Sequence, residues 1–385
     1  MSRLILTDYE ISMKTGFLLD EPLTRLPPYF DPWTRLALSL VKHIENKTLR
    51  DEIPKLPVLD VSCLSGEKEV KLAHMQLAFI TSGYLWMDFT DVPKVLPPPL
   101  AVPLYAMYEK YGMAPVITYA DVILSNAVFK DPNRPASVEN LAAIVAIPGR
   151  SQWDWFFAVG AMAELDFGAA MKSFQNVLDG IDEGDQDKMA LSLNQLADAV
   201  LNMKKTASRY HEQLSSEGFF PKLSIFFSGY DMEPLPDGLI FEGVKDEPVK
   251  MAGANAGQSP IFKSLDALCG IQIREDRHQY TQTVCEYLYP SHRKLIADLR
   301  QRPVQLKSVV ESSGNSELKA SFNNLIQAVT TFRSYHVQLV TKYFVLGMKK
   351  NLPEEDLNAL KPVKEFTMSY VKGMRDDCKK SMTSK

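Results

Sequence analysis

The sequence predicts a mainly helical protein with a smaller and a larger part. Apolar residues recur three and four residues apart in long stretches, which is the spacing of the buried face of an α-helix. Proline clusters interrupt these stretches at points where a helix is expected to end. The chain has 385 residues, of which 45% are hydrophobic and 23% charged. It can therefore bury a large core or two packed domains.

The smaller part, which we place at residues 1–115, combines short helical patterns with proline-rich loops. Residues 33–44 and 70–84 have helical spacing, whereas the segment 92–103 contains five prolines. Proline lacks the backbone N–H that a continuous helix uses, so the segment 92–103 predicts a break. We therefore expect a small, loop-rich helical domain here.

The larger part, residues 116–385, carries longer helical patterns that start after the turn-forming segment 130–135. These patterns cover the stretches 151–181, 187–214, 261–285, 291–300 and 318–348. Ser151, followed three residues later by Asp154, predicts a helix N-cap just before an apolar run. Glycines and prolines recur between 228 and 260, so we expect a long loop there, and such loops are often functional.

Charge and cysteine spacing narrow the classes of function. A formal net charge of -4 gives no general attraction to nucleic acid or to an anionic membrane. The four cysteines lack the paired spacing of a thiolate metal site or a disulfide framework, which favours a reducing compartment. Residues 1–8 lack the pattern of a signal peptide, and no apolar run approaches the roughly 18 residues of a membrane span. We expect a cytoplasmic protein with small-molecule partners and without nucleic-acid or membrane partners.

One histidine, His336, lies within the apolar stripe of the stretch 318–348. An imidazole in an apolar interior needs a hydrogen-bond partner or a metal, and a satisfied core histidine is the commoner case. The other five histidines form no HxH, HxxxH or HExxH motif, so a site with several clustered protein ligands is poorly supported. Haem needs a single axial histidine. Arg333, three residues earlier, is either a solvated surface residue or the partner of a propionate or carboxylate.

The sequence around His336 resembles the proximal-helix signature of the indoleamine 2,3-dioxygenase family. The signature occupies residues 332–343, with the sequence FRSYHVQLVTKY. Further matching blocks follow the family order and are found at 17–19, 94–97, 101–103, 119–121, 130–133, 219–220, 228–229, 237–239, 253–259, 270–272 and 290–293. Colinear matches of this number cover nearly the whole chain and are specific to the family.

The resemblance implies an all-α, two-domain indoleamine 2,3-dioxygenase-like fold with haem b in the large helical domain. His336 is then the proximal ligand, Arg333 a propionate-side partner, and Asp266 a carboxylate that supports this arginine. The implied pocket also has distal aromatic residues and a glycine-rich covering loop. Its members are Tyr119, Phe156, Phe157, Gly160, Phe219, Phe220, Ser224, Gly253, Ala254, Ala256 and Gly257. Without the resemblance, plain core packing is the commoner interpretation of the aromatic residues.

Two positions depart from the family pattern. Ser224 stands where the dioxygenases carry an arginine that binds the tryptophan carboxylate, and Gly160 stands where they carry a distal serine. Losing one partner of a buried charge pair costs about 2 to 5 kcal/mol, and serine cannot form the bidentate contact. Lys222 is two residues away from Ser224, is expected to face elsewhere, and is a poor substitute. The pattern resembles the invertebrate muscle myoglobins that are built on this fold.

The sequence therefore favours reversible O2 binding and storage, with tryptophan or indole as a weakly bound ligand and little or no turnover. The alternative is a haem dioxygenase that opens the indole ring of tryptophan to give N-formylkynurenine. In a third hypothesis, the chain is a helical scaffold without haem and His336 is a core residue. The family includes monomers and dimers, so we expect a monomer or a homodimer.

Overall fold

The computed structural model describes residues 3–219 and 224–383, so that Phe220 and Lys222 lie outside the described residues. Helices dominate these ranges, and the prediction of an all-α fold is confirmed. The helices up to residue 115 are α1 (Asp31–Leu38), α2 (Leu40–Glu45), α3 (Leu49–Glu52), α4 (Gly66–Trp86) and α5 (Pro98–Tyr111). The later helices are α6 (Arg150–Gly168), α7 (Met171–Glu183), α8 (Gln186–Ser208), α9 (Tyr210–Gln213), α10 (Ser216–Gly218), α11 (Ser224–Phe226), α12 (Pro260–Leu268), α13 (Glu275–Cys285), α14 (Pro290–Gln301), α15 (Leu306–Ser312), α16 (Ser316–Leu339), α17 (Leu346–Asn351), α18 (Glu354–Ala359) and α19 (Lys361–Lys379).

The helix α4 is the core of the N-terminal part. Residues 70–83 are buried on every side, which is expected of a helix that is apolar around most of its circumference. The helices α1, α2, α3 and α5 all pack against α4. Among the described residues, no helix is both long and apolar enough to cross a lipid bilayer.

The long helix α16 is held in the C-terminal part by packing against α8 and α19. The helices α6 and α7 also pack against α8, which therefore lies at the centre of this group. The Asn315 side chain caps α16 by accepting hydrogen bonds from the backbone N–H groups of Glu317 and Leu318. This arrangement fixes the helix that carries His336.

Several predicted helices are interrupted in the structure. The stretches 151–181, 187–214, 261–285 and 318–348 each contain more than one element. In the third of them, Gly270 has a φ of 64°, a conformation that suits glycine and ends a helix. In the last, a π-helix (Val340–Val345) separates α16 from α17. Apolar spacing continues through such short breaks, so periodicity alone does not reveal them.

Two local predictions are wrong. The N-cap of α6 is Gly149, with a φ of 94° and no capping side chain, and not Ser151, which lies inside the helix. The segment 92–103 is not a break throughout, because α5 begins at Pro98. Prolines in the first turn remove only N–H groups that have no partner within the helix.

The loop between 228 and 260 contains two short strands that connect it to the N-terminal part. The strand β4 (Leu239–Phe241) pairs in parallel with β1 (Val95–Leu96) and antiparallel with β5 (Lys245–Val249). A separate hairpin joins β2 (Ala127–Phe129) to β3 (Leu141–Ala143). The domain boundary between residues 115 and 116 stays a prediction.

Candidate functional site

His336 lies three residues before the end of α16. Its imidazole is half-buried and forms no hydrogen bond within the part of the chain that the structure describes. Burial, together with the positive charge of Arg333, lowers the pKa of His336 to about 4. A neutral imidazole with a free nitrogen lone pair is the form that binds a metal. The residue is therefore suited to serve as a single axial ligand.

Arg333 and Asp266, predicted to act together, are in direct contact. Nη2 of Arg333 donates to both carboxylate oxygens of Asp266 at 2.8 Å, and Nη1 donates to the carbonyl oxygen of Met374 at 3.2 Å. Both side chains are buried, and the carboxylate raises the pKa of the guanidinium against the effect of burial. The pair therefore fixes a cation near His336 on α16.

The beginning of α12 connects α16 to α6. The Phe262 ring lies 4.6 Å from that of Phe332 between centroids, in addition to the contact of Asp266 with Arg333. At the other end of this segment, the Ser259 hydroxyl donates to Glu164 Oε1 at 3.0 Å. The segment 259–266 thus links the two helices.

Glu164 is a buried carboxyl group that the sequence analysis did not identify. Its Oε1 also accepts a hydrogen bond from the Tyr119 hydroxyl at 2.6 Å, while its buried Oε2 has no partner among the described residues. Burial raises the pKa of Glu164 to about 7. Phe156, Gly160 and Glu164 follow one another at four-residue spacing on α6. In the sequence, this spacing is the sign that Glu164 lies on the same helix face as the two predicted pocket residues.

The aromatic wall forms around Phe156. The Phe156 ring stacks against Tyr210 at 5.5 Å and meets Phe219 at 5.5 Å, both measured between centroids. Phe219 in turn lies 5.9 Å from Tyr343, beyond the end of α16. Phe157, by contrast, is fully buried beside Trp153 and belongs to the packed core.

Gly160 leaves a space that another element fills. A Cβ atom at this position would lie 3.2 Å from the Tyr210 hydroxyl and 3.0 Å from Ile123 Cδ1. Tyr210 belongs to α9 and was not identified from the sequence. Glycine at position 160 predicts the loss of a pocket hydroxyl, but the structure places the hydroxyl of Tyr210 next to it.

The glycine-rich loop lies against the backbone that follows α11. A Cβ atom on Gly253 would come within 1.8 Å of the Phe227 carbonyl oxygen, so only glycine allows this crossing. Gln258 connects the loop to Tyr119, because it donates to the Gly253 carbonyl and accepts from the Tyr119 N–H. Within the loop, Ala254 and Gly257 are half-buried and Ala256 is exposed.

Ser224 is the first residue of α11. Its hydroxyl oxygen is buried and has no hydrogen-bond partner among the described residues. The Ser82 hydroxyl donates to the Phe226 carbonyl and so attaches α11 to α4. Position 224 therefore offers a neutral hydroxyl and no charge that could hold a carboxylate.

Comparisons with known proteins agree with the sequence motifs. The family model described as indoleamine 2,3-dioxygenase matches residues 5–383. The chain is 35% identical over 383 residues to a myoglobin of Haliotis madaka, covering 99% of both chains. It is also 35% identical over 395 residues to indoleamine 2,3-dioxygenase 1 of Rattus norvegicus, covering 100% of this chain and 97% of the other. Indoleamine 2,3-dioxygenase 2 of Homo sapiens is 32% identical over 349 residues, with 90% and 86% covered.

Proposed function

Because the chain belongs to the indoleamine 2,3-dioxygenase family, we propose that it holds haem b on His336 and binds and stores O2 reversibly. The observation that carries this proposal over catalysis is the uncharged, unpartnered hydroxyl of Ser224 at the position of the family's substrate anchor. The haem supplies the iron at which O2 binds and is released. The protein supplies the ligand, the surroundings of the haem and the exclusion of water.

Three groups of residues have these roles in the proposal. His336 offers the free imidazole nitrogen, and Asp266 holds the guanidinium of Arg333 in place to donate to a propionate. Phe156 and Phe219 form an apolar wall that keeps water away from the ligand.

The second candidate is a tryptophan dioxygenase on the same scaffold. It is supported by identity to indoleamine 2,3-dioxygenase 1 as high as that to the myoglobin. It requires a group that fixes the amino acid, and Ser224 is a weak replacement for arginine at this task, because a neutral hydroxyl cannot clamp a carboxylate with two charged hydrogen bonds. The two candidate functions share the iron ligand. They differ in what they require at position 224, because only the dioxygenase needs a group that holds the tryptophan carboxylate.

The test combines spectroscopy with turnover. We expect the ferrous protein to form a persistent O2 complex and to convert L-tryptophan to N-formylkynurenine slowly, without saturation. Ser224→Arg should strengthen tryptophan binding, by at most the thirtyfold to several-thousandfold that corresponds to about 2 to 5 kcal/mol. Ser308→Arg, at an exposed serine of α15, is the matched control and should leave binding unchanged. Rapid turnover by the unmodified protein that saturates at micromolar tryptophan would establish the dioxygenase instead.

A further inference from the structure

Tyr210 packs against α6, which borders the proposed haem pocket. Its ring stacks against Phe156 of α6, with an angle of 28° between the ring planes. The next residue, His211, contacts the other side through a 2.7 Å hydrogen bond between its Nδ1 and the Tyr343 hydroxyl. The Tyr210 side chain is thereby fixed at the aromatic wall.

The hydroxyl of Tyr210 is free to bind a ligand. It forms no hydrogen bond to any residue in the ranges 3–219 and 224–383. Burial raises the pKa of Tyr210, and the nearby Glu164 carboxyl raises it further, so the phenol keeps its proton at neutral pH. A protonated phenol is both a donor and an acceptor, and a half-buried donor without a protein partner is available to a ligand.

The hydroxyl occupies the place of the side chain that position 160 lacks. The 3.2 Å distance from the Tyr210 oxygen to a Cβ at Gly160 is shorter than an ordinary van der Waals contact. A larger residue at 160 would therefore press on the phenol oxygen and on Ile123 Cδ1, which is 3.0 Å away.

We infer that Tyr210 donates the hydrogen bond that stabilises O2 in the pocket, and that it replaces a hydroxyl at position 160. This inference rests on the proposed function, because it requires a pocket that holds haem and O2. O2 draws electron density from ferrous iron and becomes a hydrogen-bond acceptor, whereas CO carries little charge. A donor in the pocket therefore slows the loss of O2 more than the loss of CO.

The first test removes the hydroxyl only. Tyr210→Phe should speed O2 dissociation about fivefold to tenfold, the factor that corresponds to one net hydrogen bond, and should change CO dissociation far less. Tyr335→Phe is the matched control, because its hydroxyl also lacks a partner and it lies next to His336. Equal O2 dissociation rates in Tyr210→Phe and the unmodified protein, or equal acceleration in both variants, would overturn the inference.

The second test introduces a hydroxyl at position 160 in place of that of Tyr210. In the haem-free protein, Gly160→Ser should lower the melting temperature, and it should do so less when Tyr210→Phe has removed the phenol oxygen. In the haem-loaded double variant, the serine should restore slow O2 dissociation. Identical melting shifts in the two backgrounds, or a double variant as fast as Tyr210→Phe alone, would contradict the exchange. If the unmodified protein binds no haem or no O2, the proposed function itself fails, and that outcome is distinct from these.

Discussion

His336, Glu164 and Arg333 are three polar side chains in largely apolar surroundings, and they differ in how far they are satisfied. Arg333 donates to Asp266 and to a backbone carbonyl, Glu164 has one oxygen without a partner among the described residues, and His336 has no hydrogen-bond partner in the described chain. A buried polar group without a partner costs free energy that a ligand can recover. His336 is therefore free to bind a ligand, and its place in the family signature separates it from His292, whose buried ring nitrogens also lack partners among the described residues.

The role of His336 as iron ligand can be tested by removing its imidazole. His336→Ala should yield protein without stable haem, because the variant lacks the proposed axial ligand. The measurement is the Soret absorbance per chain after purification. His278→Ala is the control, since His278 is exposed and bonds only Gln282, and it should keep the normal spectrum. A normal Soret band in His336→Ala would show that the ligand is a different residue.

Single residues were predicted from the sequence where a local pattern or the family signature marks them. His336 stands out in an apolar stripe, and the contact of Arg333 with Asp266 was expected from the family. Tyr210 was not predictable, because its relation to Gly160 exists only after α9 packs against α6. Glycine at 160 looks like a loss in the sequence, and only the fold shows which group fills the space.

At the scale of elements, short and irregular segments position the pocket between the long helices. The segment 259–266 connects α6 to α16, and the glycine-rich loop crosses the backbone after α11. The sequence predicts an irregular segment over 228–260 but does not reveal β4. The partner of β4 is β1, which lies far away in the chain, and three apolar residues without a neighbour are not recognisable as a strand.

The close approach of the glycine-rich loop to the backbone after α11 is expected to affect the stability of the protein. Gly253→Ala should lower the free energy of unfolding by about 1 to 3 kcal/mol or more, because the methyl group meets the rigid Phe227 carbonyl at 1.8 Å. Urea unfolding of the haem-free protein measures the effect. Gly257→Ala is the control in the same loop, since its nearest obstacle is the Asn255 side chain, and it should cost clearly less. Equal losses in the two variants would show that the crossing is not tight in solution.

At the scale of the whole molecule, a buried ion pair joins the N-terminal part to the region of the pocket. Nδ1 of His74, on α4, lies 2.7 Å from Asp121 Oδ1, and Nε2 lies 2.8 Å from the Ala114 carbonyl oxygen. Both partners accept hydrogen bonds, so both ring nitrogens carry protons and His74 is an imidazolium. Asp121 lies in the π-helix Ala120–Leu124, which directly follows Tyr119, whose hydroxyl donates to Glu164.

The charge of His74 makes the stability of the molecule depend on pH. Burial alone lowers the pKa of His74, but the Asp121 carboxylate and the Ala114 carbonyl outweigh this effect, and the net shift is upward. A histidine whose pKa is raised in the folded state makes its full contribution to folding stability at pH values below its pKa in the unfolded chain, about 6.5. This contribution is lost as the pH rises from there through the folded pKa, with a slope of at most about 1.4 kcal/mol per pH unit.

We expect the difference in the free energy of unfolding between the unmodified protein and His74→Gln to become smaller as the pH rises. His74→Gln cannot carry the charge and leaves Asp121 unpaired, so at pH 6 it should unfold about 3 to 5 kcal/mol more easily than the unmodified protein. Between pH 6.5 and the folded pKa of His74 the difference should shrink, because only the unmodified protein loses an imidazolium. Glu164 also titrates near pH 7 but is present in both proteins, so its effect cancels in the comparison.

His43→Gln, at a half-buried imidazole that bonds Thr48, is the control and should show a small difference at every pH. A difference for His74→Gln that stays constant between pH 6 and pH 9 would mean that His74 is neutral, and that the two parts of the molecule are joined by hydrogen bonds without a charge.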